Sequence, residues 1–261
     1  MTLTTIESWL LALLALLLFA CIGWLGSLVK KDASIVDSMW SLMFLLAAVI
    51  YFCLGDGGLR SNLILLLVSV WAVRLSGYLT WRNWGAGEDY RYQEMRRKHS
   101  PNFGLKSIYR VFGFQAVLAW FISLPLLFAV TVNHSINILD LAGLILWTIG
   151  FTFEAIADIQ LAKFKSHEAN KDQVLRSGLW KLTRHPNYFG NFCIWWAFYL
   201  FAFSAGGWWS ILSPLLMSFL LLKVSGVAML EKDIGKRRPE YADYVSTTNA
   251  FFPGPQKLSS D

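Results

Sequence analysis

Apolar residues along this chain gather into runs separated by short polar stretches. Seven runs, near residues 6–29, 34–54, 61–81, 111–132, 138–160, 188–205 and 208–228, approach the roughly 20 residues that a helix needs to cross about 30 Å of hydrocarbon. The sixth is short and the fifth carries acids. The pattern predicts an all-α integral membrane protein, a bundle of about seven transmembrane helices forming a single domain over 1–261. No internal repeat, heptad run or low-complexity linker interrupts it, and the longest polar stretch is Arg82–Arg110. The first run lacks a basic leader and a clear small-residue cleavage site, so it is expected to be a retained helix.

The placement of charge adds an orientation. Of 23 basic residues, two follow the first run, seven lie from Arg82 to Arg110, six from Lys163 to Arg184 and five after Glu231. The alternate loops are nearly bare of Lys and Arg. Because cytoplasmic loops carry the excess of Lys and Arg, the N-terminus is expected outside and the C-terminus in the cytoplasm. Either a bacterial inner membrane or the endoplasmic reticulum satisfies this rule. Composition agrees with a membrane class: 56% of residues are hydrophobic and only 15% charged. The net charge of +6 then needs no nucleic acid, since topology and anionic headgroups already account for it. Cys21, Cys53 and Cys193 sit in or beside separate apolar runs without metal-ligand spacing, which reads as buried reduced thiols.

Candidate chemistry concentrates in four places. The run from Gly178 to Asn191 crowds Lys181, Arg184, His185, Asn187 and Tyr188 against an apolar run, with Pro186 marking a helix start. Those groups suit a phosphate-bearing or adenine-bearing cofactor; equally, Arg184 and Lys181 could be interfacial anchors. Ionisable residues inside spans are functional candidates by default. Here they are Asp37 at the start of the second run, Arg74 with Tyr78 one turn later in the third, and Glu154 with Asp158 on one face of the fifth. An interfacial pair of Asp37 with Lys31, or a salt bridge from Arg74 to Asp37, would be structural alternatives. The stretch Trp81–Gln93 mixes aromatics, Gly85, Gly87 and charges and could fold over a cofactor as a lid, or be an aromatic interface loop. Its single Gly-x-Gly is no dinucleotide fingerprint. In the tail, Tyr241 and Tyr244 are three apart and share a helical face, fit to stack on a ring or to sit in an aromatic belt.

Taken together, Arg184-His185-Pro186-Asn187-Tyr188-Phe189-Gly190, the tail from Glu231-Lys232 to Tyr241-x-x-Tyr244 and the span Trp71-x-x-Arg74-Leu75-x-x-Tyr78 resemble the DUF1295 branch of the steroid 5α-reductase-like membrane superfamily. The resemblance covers most of the chain and is strongest from Glu154 to Pro253. It implies that about 138–255 binds NADPH from the cytoplasmic side and that 1–132 faces a lipophilic substrate, with a carbon–carbon double bond reduced. By position, Asp158 and Lys165 resemble residues that hold the adenosine and phosphates. Asn187 and Tyr188 match an Asn-centred cofactor contact beside Arg184 and His185, and Glu231, Tyr241 and Tyr244 resemble the tail contacts. Val36-Asp37 stands where the steroid enzymes have Gln-Glu, so Asp37 would inherit the acid facing the substrate carbonyl. Their catalytic tyrosine falls closest to Trp71, which donates through nitrogen and is no comparable acid, leaving Tyr78 as the nearest phenolic replacement. The implied reaction is 1,4-reduction of a steroid-like or other lipophilic enone.

The same region also resembles isoprenylcysteine carboxyl and phospholipid methyltransferases, which share an Arg-His-Pro-x-Tyr stretch but use S-adenosylmethionine. Asn187, Asn191 and the Glu231-Lys232 order favour the reductase pattern. A non-enzymatic scaffold or transporter would spread intramembrane charge along a path through the bilayer, whereas the polar residues here gather on one side. The partners expected are therefore a lipophilic small molecule and membrane lipid, with no nucleic acid, no metal and no obligate protein partner.

Overall fold

The computed structural model describes residues 3–133, 135–224 and 240–256. Every regular element among the described residues is helical. Five helices are long and apolar enough to cross a membrane: Thr5–Lys30, Ile35–Leu54, Leu59–Asn83, Phe103–Ile122 and Ile138–Lys165, with a shorter apolar helix at Trp208–Val224. The protein is thus a helical, multi-pass membrane protein.

The chain divides into two compact units, Met1–Asn137 with Phe201–Ser210, and Ile138–Leu200 with Ile211–Asp261. In the first, α1 (Leu3–Lys30), α2 (Ile35–Leu54) and α3 (Leu59–Asn83) are joined by tight turns. The α2–α3 turn needs glycine, since Gly57 and Gly58 have φ of 68° and 121°. On α1 the buried stripe is mostly small: Ser8, Ala12, Ala20 and Ser27 are buried, with Leu16 the one large side chain among them, while Leu10, Leu14, Leu18, Ile22 and Leu25 are exposed. Where lipid is as apolar as leucine, burying a leucine gains little and close backbone approach gains more, so small residues line the interface. Gly23 illustrates this, because a Cβ there would lie 2.2 Å from Met39 Sδ.

After α3 come α4 (Tyr90–Lys98), α5 (Phe103–Ser107), a π-helical turn (Ile108–Gly113), α6 (Phe114–Ile122) and α7 (Leu124–Thr131). A single residue, Ser123, separates α6 from α7, where Pro125 cannot donate to the preceding turn. Arg60, buried at the start of α3, donates to Ala129 O at 2.7 Å, to Phe201 O and to Ser204 Oγ at 3.2 Å. One guanidinium so satisfies helix-terminal carbonyls that would otherwise lack partners.

The second unit is built on α8 (Ile138–Lys165) and α9 (Pro186–Ser204), joined by a segment with short 3-10 turns at Glu168–Asn170 and Gly178–Lys181. It also contains α10 (Leu212–Phe219), a π-helical turn (Leu220–Val224) and α11 (Tyr241–Thr247). Helices α8 and α9 touch backbone to backbone. A Cβ on Gly190 would meet Glu154 N and Gly150 O, each at 2.5 Å, and one on Gly150 would lie 2.6 Å from Gly190 O. Residues 225–228 of the last expected span lie outside the described residues.

Candidate functional site

Each unit carries polar side chains that the sequence marks as candidates. In the first, α4 docks on the α1–α2 corner. Glu88 Oε1 accepts from Ala33 N at 2.9 Å, Ser34 Oγ accepts from Asp89 N at 2.8 Å, and Arg96 grips both Glu88 oxygens at 2.8 and 2.9 Å. Asp89 caps α4 by accepting from Arg91 N at 3.0 Å. Gly85 and Gly87, both at φ 75°, turn the chain into this docking. The stretch read as a possible lid is therefore tied down at its α4 end.

At the centre is Asp37 in the first turn of α2. Tyr92 Oη donates to its Oδ1 at 2.6 Å and Arg91 Nη2 to its Oδ2 at 2.6 Å, while Arg91 Nε holds Asp89 at 2.8 Å. Tyr92 is buried, with 6% of its surface exposed. Burial and then the Asp37 charge push its phenol well above the usual tyrosine pKa, with a smaller opposing contribution from a hydrogen bond to Gln115. Burial works against the Arg91 cation, but its bond to Asp89 and the charge of Asp37 hold it firmly protonated. Burial would likewise raise Asp89, yet the side-chain and backbone hydrogen bonds from Arg91 keep its carboxyl below the ordinary range.

Trp71, fully buried in α3, packs against Phe44 with ring centroids 5.9 Å apart. Tyr78 lies one face-repeat further on, its ring 6.2 Å from Trp81 and under the Arg82 guanidinium at 5.9 Å. The phenol on Asp37 is Tyr92, which sequence reasoning placed in the loop but did not pair with the acid. Their separation of 55 residues leaves no spacing signal.

In the second unit two rungs join α8 to α9. Asn187 Nδ2 donates to Asp158 Oδ1 at 3.2 Å, and Asn191 Nδ2 donates to Glu154 Oε1 at 3.1 Å. The acids are four apart on one helix and the amides four apart on the other, so each pair shares a face and the close Gly150–Gly190 contact brings the faces together. Matching intervals in both helices were a readable signal for this pairing. His185 precedes Pro186, the first residue of α9, and is buried with its ring stacked on Tyr188 at 5.7 Å and 4°.

Arg184 binds the tail. Its backbone N donates to Asn249 O at 2.9 Å and its Nη1 to Val245 O and Thr248 O at 3.1 and 2.5 Å, capping the C-terminal carbonyls of α11. Thr183 Oγ1 adds a bond to Phe251 O at 2.9 Å. Tyr241 and Tyr244 do share a face, with rings 5.8 Å apart, and both are buried. Tyr244 Oη donates to Trp180 O, which fastens α11 over the segment before α9. Lys165 lines a cleft of about 330 Å³ together with Leu161, Phe164, His167, Glu168 and Lys171. Glu231 lies outside the described residues. No group of metal-ligating side chains occurs among the described residues.

Comparison with known proteins places the chain in a family. The model of the family "Protein of unknown function (DUF1295)" matches residues 23–248. The chain is also 25% identical over 264 residues to "Uncharacterized protein C594.04c" of Schizosaccharomyces pombe, covering 88% of this chain and 75% of that one. No solved structure matches. With the family match spanning most of the sequence, including the candidate side chains of both units, the chain belongs to the DUF1295 family.

Proposed function

We propose that the protein is an NADPH-dependent membrane reductase of the steroid 5α-reductase-like superfamily. It acts on a conjugated carbon–carbon double bond of a steroid-like or other lipophilic enone, on a seven-span bundle with its C-terminus in the cytoplasm. The observation that carries this reading is the Asp37–Tyr92 pair, a buried phenol held at 2.6 Å on a partly buried carboxylate at the start of a membrane helix. Conjugate reduction places negative charge on a carbonyl oxygen, and a fixed donor in a water-poor site stabilises that charge far better than bulk water does.

Of the two groups, Tyr92 holds the proton. Asp37 accepts from both Tyr92 and Arg91, which is the behaviour of an ionised carboxylate. The single Tyr92 proton goes to Asp37 Oδ1 here, so a bound carbonyl oxygen would have to replace that carboxylate oxygen as its acceptor; Arg91 would keep hold of Asp37, and its guanidinium, 5.5 Å from the Tyr92 ring, would offset phenolate charge as the proton leaves. Trp71 and Tyr78 belong to the substrate-facing half in this reading.

The second unit fits a dinucleotide phosphate chemically. Lys165 and Lys171 line one cleft with His167 and Glu168, and the two lysines offer the cations that phosphates require. Asp158 with Asn187, and the stacked His185 and Tyr188, offer polar and flat surfaces for the remaining groups. Glu231, Tyr241, Tyr244 and Arg184 belong to the tail side of this set. NADPH, when bound, supplies the hydride received by the carbon β to the carbonyl.

The test is enone-dependent loss of nicotinamide absorbance by the detergent-purified protein against a panel of lipophilic enones. Tyr92→Phe should slow turnover about 10²- to 10⁴-fold, the range for removal of a general acid. Absence of enone-dependent oxidation across the panel contradicts the reductase reading, and wild-type turnover in Tyr92→Phe removes the phenol from its role.

A further inference from the structure

The helix that carries Tyr92 runs on into a group of cations that no ion pair engages among the described residues. Lys98 ends α4, His99 follows it, Lys106 stands on α5 and Arg110 on the π-helical turn Ile108–Gly113. Lys106 Nζ donates to His99 O at 3.4 Å, and Arg110 Nη1 lies 3.0 Å from His99 Nε2. Desolvation, together with the charges of Arg110, Lys106 and Lys98, keeps the His99 ring below its usual pKa. The other arginines of this loop are engaged: Arg91 with Asp37 and Asp89, Arg96 with Glu88, Arg97 with Glu94. Among the described residues no ion pair engages Lys98, Lys106 or Arg110.

The cluster is built, and both its sides are anchored. Arg96 lies over the Phe103 ring at 4.8 Å, which ties α4 to α5, and Trp24 Nε1 donates to Gly104 O at 2.9 Å, which ties α5 to α1. The wide turn then brings Arg110 back beside His99. It depends on Gly113, where a Cβ would lie 2.9 Å from Ile108 O. Such π-helical turns sacrifice regular hydrogen bonding and recur at functional positions.

The place of the cluster on its helix identifies what faces these cations. Phe103–Ile122 is one of the helices long and apolar enough to cross a membrane, and Lys106 and Arg110 stand in its first turns, with Lys98 and His99 just before it. Basic side chains at the end of a span sit at the level of the lipid headgroups. Directly beside the cations, Leu105, Tyr109 and Phe114 are exposed, offering an apolar face to acyl chains.

We propose that Lys98, Lys106 and Arg110 bind the phosphate of an anionic membrane phospholipid, whose chains lie along Leu105, Tyr109 and Phe114. This site is independent of the reductase reading. A cation near an anionic surface is worth about five-fold in affinity, so losing two costs about thirty-fold.

The test is a thermal-shift titration of the full-length protein in neutral detergent with phosphatidylglycerol, phosphatidylcholine or inorganic phosphate. Phosphatidylglycerol should stabilise the wild type in a saturable manner, and phosphatidylcholine and inorganic phosphate should not. Lys106→Gln/Arg110→Gln should raise the half-saturating phosphatidylglycerol concentration about thirty-fold, and Arg110→Gln alone about five-fold. Arg97→Gln, which removes an equal charge from the same helix outside the cluster, should leave it unchanged. Equal stabilisation by phosphatidylcholine or by inorganic phosphate overturns the proposal, as does an unshifted midpoint in the double variant or an equal shift in Arg97→Gln.

Discussion

Tyr92→Phe is the sharpest perturbation the structure offers, because it removes one oxygen and keeps the buried ring. The lost bond is a phenol-to-carboxylate hydrogen bond of 2.6 Å. Hydrogen bonds to charged groups contribute about 1.5–3 kcal/mol. Asp37 retains Arg91, and 16% of its side chain is exposed, so water replaces part of the loss and the lower end, about 1.5 kcal/mol, applies. For a chain of this size that corresponds to about 3–6 °C in melting temperature. Asp37→Ala removes the same bond and leaves Arg91 with Asp89 alone, so it should cost about 3 kcal/mol. The double variant should cost about as much as Asp37→Ala alone, because the shared bond is lost once, leaving a coupling of about 1.5 kcal/mol. The assay is the melting of the four proteins in one detergent. Effects that add to within about 0.5 kcal/mol would show that Tyr92 and Asp37 do not interact, and would refute the reasoning.

Other outcomes follow from the same geometry. Asn187→Ala removes the amide that bonds Asp158 and should weaken NADPH binding about tenfold, read by calorimetry, while stability falls by no more than the roughly 1.5–3 kcal/mol of one hydrogen bond to a carboxylate. Gly190→Ala drives a Cβ into Glu154 N and Gly150 O at 2.5 Å and should destabilise by 1–3 kcal/mol or more on the overpacking scale of about that size, seen as a lowered melting temperature and poor yield. Asp89 has a carboxyl pKa lowered below its ordinary 3.8 by folding, so its contribution is complete above that value and is lost as pH falls through the folded pKa. Hydrogen exchange of α4 should therefore accelerate toward acid pH in the wild type, and Asp89→Asn should flatten that dependence while keeping the cap.

How much of this was legible in the sequence depends on the range of the signal. The starts of α2 and α8 and the extents of α1 and α3 follow the apolar runs to within a few residues, since hydrocarbon thickness sets the length of such helices. The helical stretch from Phe103 begins well before residue 111, where the apolar run was expected to start, because Lys106 and Arg110 interrupt hydropathy without interrupting the backbone ladder. Which face of α1 is buried could not be read from apolar periodicity, as the helix is hydrophobic all round; apart from Leu16, it is the smaller residues that face inward. Local pairs such as Glu154 with Asp158 were visible as shared faces, and their amide partners repeat the same interval. Tyr92 was not legible as the partner of Asp37, because only the docking of α4 on the α1–α2 corner brings them together. For Arg184 the sequence left anchor and cofactor roles open, while the structure shows its guanidinium capping α11.

The most direct measurement is calorimetric titration of the detergent-purified protein with NADPH and, separately, with S-adenosylmethionine. The account predicts saturable binding of NADPH, weakened by Asn187→Ala, and no binding of S-adenosylmethionine. Binding of S-adenosylmethionine without NADPH would contradict it and assign the chain to the methyltransferase chemistry instead.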